Sequence, residues 1–304
     1  MIVNRTAIVQ LGRSFRAISQ EALQLATPRW NRVAMRVPSN TSQNDYGWLA
    51  DIPGMREWIG SRVVHALETE AYSIKNRDFE LTVAVGRNDI EDDNIGIYTP
   101  RFQMMGQAVA YHPDELVFEL LKRGFELKGF DGKPFFADNH KVGKKNFSNM
   151  TDKKLSREAF NAALATMQSL TNEHGRPLRV FQVDGESTKP LLVVGPSNRA
   201  TAKSIVGLQT LPEGGDNPNY QDADILVLPE LSGDYADFWM LLDVSKPVRP
   251  LILQRRKEPE FVAKDEVTDD NVFAKKEFVY GFDDRKNAGY GFWQLAYGST
   301  GEQA

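Results

Sequence analysis

The 304-residue chain contains no cysteine, which excludes disulfides and thiolate metal sites outright. No apolar run approaches the roughly 18 residues that a membrane-spanning helix requires. Histidine is scarce: His65, His112, His140 and His174 are the only four, and no two stand at i, i+4, so the zinc-protease helix pattern is missing. The Gly-Lys-Ser or Gly-Lys-Thr ending of a phosphate-cradling loop is missing too. Gly195-Pro196-Ser197-Asn198 leads from a strand into a helix, where phosphates often sit, but Ser197 or Asn198 is more economically a helix cap. That turn also lacks the second glycine of a nucleophile elbow. Asp138-Asn139-His140 brings two potential ligands together without a third, which favours plain loop polarity. Asp265 to Asn271 lacks the spaced acids and closing glutamate of a calcium loop and reads as a solvated turn. Trp58, Trp239, Trp293 and Phe292 lack the interleaved cations of a base-stacking surface and read as core or interface. No catalytic residue, metal ligand or cofactor is assigned.

What is present describes an ordinary globular chain, 41% hydrophobic and 26% charged, long enough for about two domains. The net charge of −4 is unevenly spread. Residues 1–36 hold Arg5, Arg13, Arg16, Arg29, Arg32 and Arg36 against the single acid Glu21, a surplus of +5 that leaves −9 on the rest. A body of that sign is a poor grip for nucleic acid.

In the first segment Ile8, Leu11, Phe15, Ile18, Ala22 and Leu25 alternate spacings of three and four, which lays one apolar stripe along a helix. Thr27-Pro28 stops it. The stripe can pack on the chain's own body or on a neighbour. An arginine-rich, acid-poor amphipathic start also describes organelle transit peptides, but the blocks that follow point elsewhere. Phe79, Leu81, Val83 and Val85 alternate with polar positions and predict a half-buried strand, with Arg62 to Glu68 and Tyr72 to Lys75 as expected partners. Asp92 or Asp93 supplies acid at the start of the next helical stretch, and Pro100 suits its first turn. Pro113 to Arg123 continues helical, closed by Gly124.

Residues 128–152 read as loop. Ser156 caps a helix carrying Phe160, Leu164 and Met167 that closes near Gly175. Leu191 to Val194, the helix Arg199 to Val206 and Ile225 to Leu228 make a β-α-β crossover. A polar loop, Thr210 to Asp222, carries Gly214-Gly215. Val248 to Leu253 adds a strand. Phe278, Tyr280 and Phe282 form another, with Asp283 to Gly289 turning toward Tyr290, Phe292 and Gln294.

Several blocks stand out as they are written: Tyr46-Gly47-Trp48, Arg56-Glu57-Trp58-Ile59-Gly60, the strand Phe79 to Val85, Glu91 to Tyr98, Pro113-Asp114-Glu115-Leu116, Lys246 to Gln254 and Ala288 to Tyr297. In this order they resemble the major head subunits of Mu-like tailed bacteriophages. The resemblance implies an α+β chain with the tailed-phage and herpesvirus type of major capsid fold. Its expected parts are an N-terminal arm over 1–44 and an extended β-hairpin loop over 45–88. A peripheral domain with a long spine helix takes 89–150 and 245–304, the helix bent or broken before Pro113, and an axial domain takes 151–244 with Thr210 to Asp222 at its apex. The implied function is a structural shell subunit, not an enzyme, located in the virion and assembled in the bacterial host cytoplasm.

The implied partners are further copies in hexamers and pentamers, a separate scaffold protein, a portal and a maturation protease. Little room precedes the hairpin blocks for a built-in scaffolding segment. Packaged DNA would be touched only weakly and without specificity, and no membrane is involved. Candidate inter-subunit contacts are Arg5, Arg13 and Arg16 on the arm, and Arg56, Trp58, Arg62, Lys75 and Arg77 on the hairpin. Deleting residues 1–36 is expected to leave a folded body that cannot form correct shells. A nanocompartment shell of the same fold around an enzyme cargo is the neighbouring alternative, and a hydrolase or metal enzyme using the 128–150 loop is a distant third.

Overall fold

The computed structural model describes residues 5–50, 72–92, 94–173, 175–183, 185–211 and 214–303. The chain opens with helix α1 (Arg5–Leu25), β1 (Ala34–Pro38) and β2 (Gln43–Asp45). It continues with β3 (Ser73–Lys75), β4 (Arg77–Gly86), the short α2 (Arg87–Glu91) and the long α3 (Thr99–Lys122). A middle stretch holds β5 (His140–Val142), β6 (Lys145–Phe147), β7 (Met150–Lys153) and α4 (Arg157–Gln168). Then come β8 (Gln182–Val183), β9 (Glu186–Ser187), β10 (Leu191–Val194), α5 (Arg199–Val206), β11 (Asp224–Val227) and β12 (Trp239–Leu242). The tail adds β13 (Leu251–Lys264), α6 (Asp270–Lys275), β14 (Glu277–Tyr290) and β15 (Ala296–Gln303).

Two sheets carry most of the core. One runs β1-β13-β14-β4, the other β11-β10-β12-β15-β7. In the second sheet Leu191 and Val193 face one apolar cluster while Leu192 and Val194 face another, formed with α4 and α5. Both faces are covered, so the strand reads as an unbroken apolar run instead of an alternating one. β10 and β11 pair in parallel around α5, as the crossover requires. Ser156 caps α4 by accepting the Ala159 N–H at 3.1 Å. That helix stops at Gln168, short of Gly175.

Helix α3 is the spine. At about 1.5 Å per residue its 24 residues span roughly 36 Å. Pro100 sits in its first turn as expected. The helix runs through Pro113 without a break, so of the expected bend or break the break is absent. The missing N–H leaves one helical bond unmade, but Val109 on one side and Val117, Phe118 and Leu121 on the other are buried and anchor both halves in the core. Asp92 caps the C-terminal end of α2 and gives α3 no acidic start.

Three further expectations are corrected. β4 pairs with β14 from Gly86↔Glu277 to Arg77↔Lys286, and β3 pairs with β2, so Tyr72 to Lys75 is not the partner of the Phe79 strand. Arg62 to Glu68 lies outside the described residues. Asp283 to Gly289 is strand, not turn, because its charges find partners in the sheet: Asp283 with Lys257 at 2.9 Å, Arg285 with Asp78 at 3.3 Å. The 128–152 stretch is not all loop; it contains β5, β6 and the start of β7.

Candidate assembly surfaces

The first surface is built on α1. Its apolar stripe lies on α3 and the β4–β14 sheet of the same chain, with Ile8, Leu11, Phe15 and Ala22 buried. Leu25, the last stripe residue, stays exposed. Phe15 stacks on Phe102 with ring centres 4.0 Å apart, and Tyr280 meets Phe15 edge-on at 5.4 Å. The helices approach closely because position 106 is glycine. A Cβ there would stand 2.2 Å from the Ser19 carbonyl oxygen. Of the two packings the stripe allows, the chain adopts the one on its own body. Arg13 and Arg16 point outward, without ion-pair partners among the described residues. Arg5 pairs with Glu266 at 3.3 Å, but both side chains are mostly exposed, so the pair contributes little.

The second surface is the root of the 45–76 segment, where three of the sequence blocks converge. The Tyr46 N–H donates to the Tyr72 carbonyl at 2.7 Å, closing the two ends on each other. The Tyr46 hydroxyl donates to Gln254 Oε1 at 2.8 Å; Gln254 Nε2 in turn donates to the Ile74 carbonyl at 2.9 Å and to Asn76 Oδ1 at 2.8 Å. Trp48 meets Phe292 edge-on at 5.7 Å, and the Tyr290 N–H donates to the Tyr72 hydroxyl at 2.9 Å. Burial pushes the Tyr46 hydroxyl up to about 12, so it stays a protonated donor. Lys75 is exposed on β3 beside this clamp. Arg56, Trp58 and Arg62 fall outside the described residues.

The third surface is the β-ribbon. Phe79 is half-buried, with the Arg77 guanidinium 5.4 Å from its ring centre and the Lys286 ammonium 5.5 Å away. Arg77 itself is exposed. Lys286 is buried and pairs with the equally buried Asp284. Burial pulls the Lys286 ammonium below its usual range, and the Asp284 carboxylate opposes that pull. His112 lies edge-on to Phe79 at 4.3 Å; burial, then the Lys286 charge, hold its pKa below the usual value.

Sequence reasoning missed several residues that hold these surfaces together. Asp114 accepts the backbone N–H groups of Arg29 at 2.9 Å and Trp30 at 2.6 Å, tying the stretch after α1 to the spine. Its place in the Pro113-Asp114-Glu115-Leu116 block was the only signal. His140 is a core residue and not a polar loop residue. It is fully buried, stacks on Trp293 at 4.1 Å and contacts Asp131 and Asn149. Asn198 precedes α5 without a side-chain cap bond and donates instead to the carbonyls of Ala236 and Asp237. Trp239, Trp293 and Phe292 are buried, as core readings require.

Comparison with known proteins gives a consistent picture. The family model described as Mu-like prophage major head subunit gpT matches residues 8–154, 147–231 and 230–303. The major capsid protein of Escherichia phage Mu is 36% identical over 302 residues, covering 99% of this chain and 76% of that protein. A procapsid structure of bacteriophage JBD30 aligns with a TM-score of 0.60 at 32% identity, covering 98% of this chain and 76% of that one. The JBD30 capsid structure aligns with a TM-score of 0.58 at 30% identity, covering 70% of this chain and 94% of that one.

Proposed function

This chain belongs to the Mu-like prophage major head subunit family, and from that membership we propose how its surfaces serve a shell. It is a structural capsid protein of the virion, with the α+β fold of phage major capsid proteins. The observation that carries this is the match of the family from residue 8 to residue 303, which takes in every described element except the first turn of α1. The nanocompartment alternative is not favoured, since the relatives above 30% identity are phage head proteins.

Copies join in hexamers and pentamers through heterologous contacts, where one patch meets a different patch on the next copy. Many modest contacts in one lattice reinforce each other, so the whole outlasts any pair. The arm is 1–44 and the extended loop 45–88. The spine domain takes 89–150 and 245–304, and the axial domain 151–244 with Thr210 to Asp222 at its apex. The final strand β15 pairs with β12 and β7, so the tail also completes the axial sheet. Arg5, Arg13, Arg16, Arg56, Trp58, Arg62, Lys75 and Arg77 are proposed contacts between copies; the exposure of Arg13, Arg16, Lys75 and Arg77 supports this. A scaffold protein, a portal and a maturation protease are the proposed helpers, with assembly in the host cytoplasm. No reaction is assigned, and the enclosed DNA is touched only weakly by the −9 body.

Electron microscopy of the protein expressed with a scaffold tests the reading. Closed shells or tubes are expected. A chain that stays monomeric with a scaffold present, yet turns over a substrate, would overturn it. Arg77→Glu should reduce particle yield without lowering the melting temperature of the free subunit.

A further inference from the structure

Phe273 stands in the open. On α6 its side chain is 91% exposed, the most exposed large apolar residue among those described. It is followed by Ala274, Lys275 and Lys276, all exposed, and neither lysine has an ion-pair partner among the described residues. An aromatic side chain in water forgoes the burial that makes such residues dominate interfaces. The chain also holds a groove with no occupant among the described residues, about 200 Å³ in volume, between β4, α3 and β14. Phe79, Leu81, Val109 and Phe282 line it, and so do Glu80 and Glu115. Neither glutamate has an ion-pair partner among the described residues.

We infer that Phe273 of one copy seats in the Phe79 groove of a neighbouring copy, with Lys275 and Lys276 facing Glu80 and Glu115. The inference rests on the shell reading and names one contact within it. Three features favour a second copy as the occupant. The groove's walls are apolar and aromatic, suiting a phenyl ring. Lys275 and Lys276 beside the knob are opposite in sign to Glu80 and Glu115 of the groove, and such complementarity sets register and suppresses wrong partners. The third feature is position. Along β14 the knob end, Glu277 opposite Gly86, is seven residues from the groove end, Asp284 opposite Phe79. At about 3.3 Å per residue that is roughly 23 Å, too far for a copy to fill its own groove. Each copy therefore offers a knob at one end of the ribbon and a groove at the other. Such a head-to-tail contact repeats around rings.

The absence of cysteine makes the test clean. A double variant, Ala274→Cys with Ala108→Cys in the groove lining, carries two thiols and no others. A short bis-maleimide added to its particles should give a ladder of dimers, trimers and higher species on a denaturing gel. Either single variant should give no ladder. Separately, Phe273→Asp and the groove-filling Ala108→Trp should each cut particle yield at least tenfold while leaving the subunit melting temperature unchanged. Normal particle yield from Phe273→Asp would overturn the inference, and so would double-variant particles without a ladder; either result leaves the shell reading standing. If the unaltered protein makes no particles with its scaffold, the shell reading fails, and the inference with it.

Discussion

Gly106→Ala sets two known effects against each other at the α1–α3 crossing. In isolation alanine is the better helix former, by about 1 kcal/mol. Here its methyl group would stand 2.2 Å from the Ser19 carbonyl oxygen and 3.0 Å from the Ala22 Cβ. Carbon and oxygen sit comfortably at about 3.3 Å or more, so α1 must withdraw by roughly 1 Å. A gap of that size forfeits a quarter to a half of the contact energy along the seam. Ile8, Leu11 and Phe15 are the large side chains buried there, each contributing roughly 2 kcal/mol. The loss is therefore roughly 1.5–3 kcal/mol, and about 0.5–2 kcal/mol of destabilisation remains after the helix gain. Urea unfolding should show the lower midpoint, and hydrogen exchange should show α1 amides losing protection before those of the sheet. A variant that proved more stable than the parent would refute the close approach of the two helices.

Tyr46→Phe should cost about 1–3 kcal/mol in urea unfolding, because it leaves Gln254 Oε1 buried without its donor. Lys286→Met should cost about 3–5 kcal/mol by stranding the buried Asp284 carboxylate, and adding Asp284→Leu should recover most of that; no recovery would mean the pair is not buried as described. His112 titrates below its ordinary value in the folded chain, so the unfolded chain takes up its proton first. That contribution to stability is present above about pH 6.5 and is lost as pH falls toward the folded value; His112→Phe should flatten this part of a pH series of unfolding midpoints. Removal of residues 1–36, expected from the arm reading to leave a folded body, should instead yield a poorly soluble chain. It uncovers Phe102, Met105 and Tyr280 and takes away three of the five residues of β1, and a well-folded monomer by circular dichroism would contradict this.

Local chemistry made much of the fold legible. The period of α1 and the Ser156 cap depend on neighbours a few residues away, the β10–α5–β11 crossover on one contiguous stretch, and each stands where expected. The errors share a different cause. Asp283 to Gly289 has the composition of a turn and becomes strand only because Lys257 and Asp78 lie alongside. Pro113 has the signature of a break and is overruled by burial on both sides. His140 looks like loop polarity until Trp293, more than 150 residues on, stacks upon it.

Sequence alone determined the family, because the blocks that carry it are contiguous runs whose order survives without coordinates. It also determined the helical stripe and the sign of the charge on arm and body. Tertiary structure alone decided which partner each element takes: α1 lies on its own spine, β4 joins β14, and Tyr46 finds Gln254 across 208 positions. A residue's period and charge are local properties, whereas a partner distant in the chain is chosen by the whole packed arrangement. That arrangement also leaves Phe273 outside the core and the Phe79 groove open for another copy.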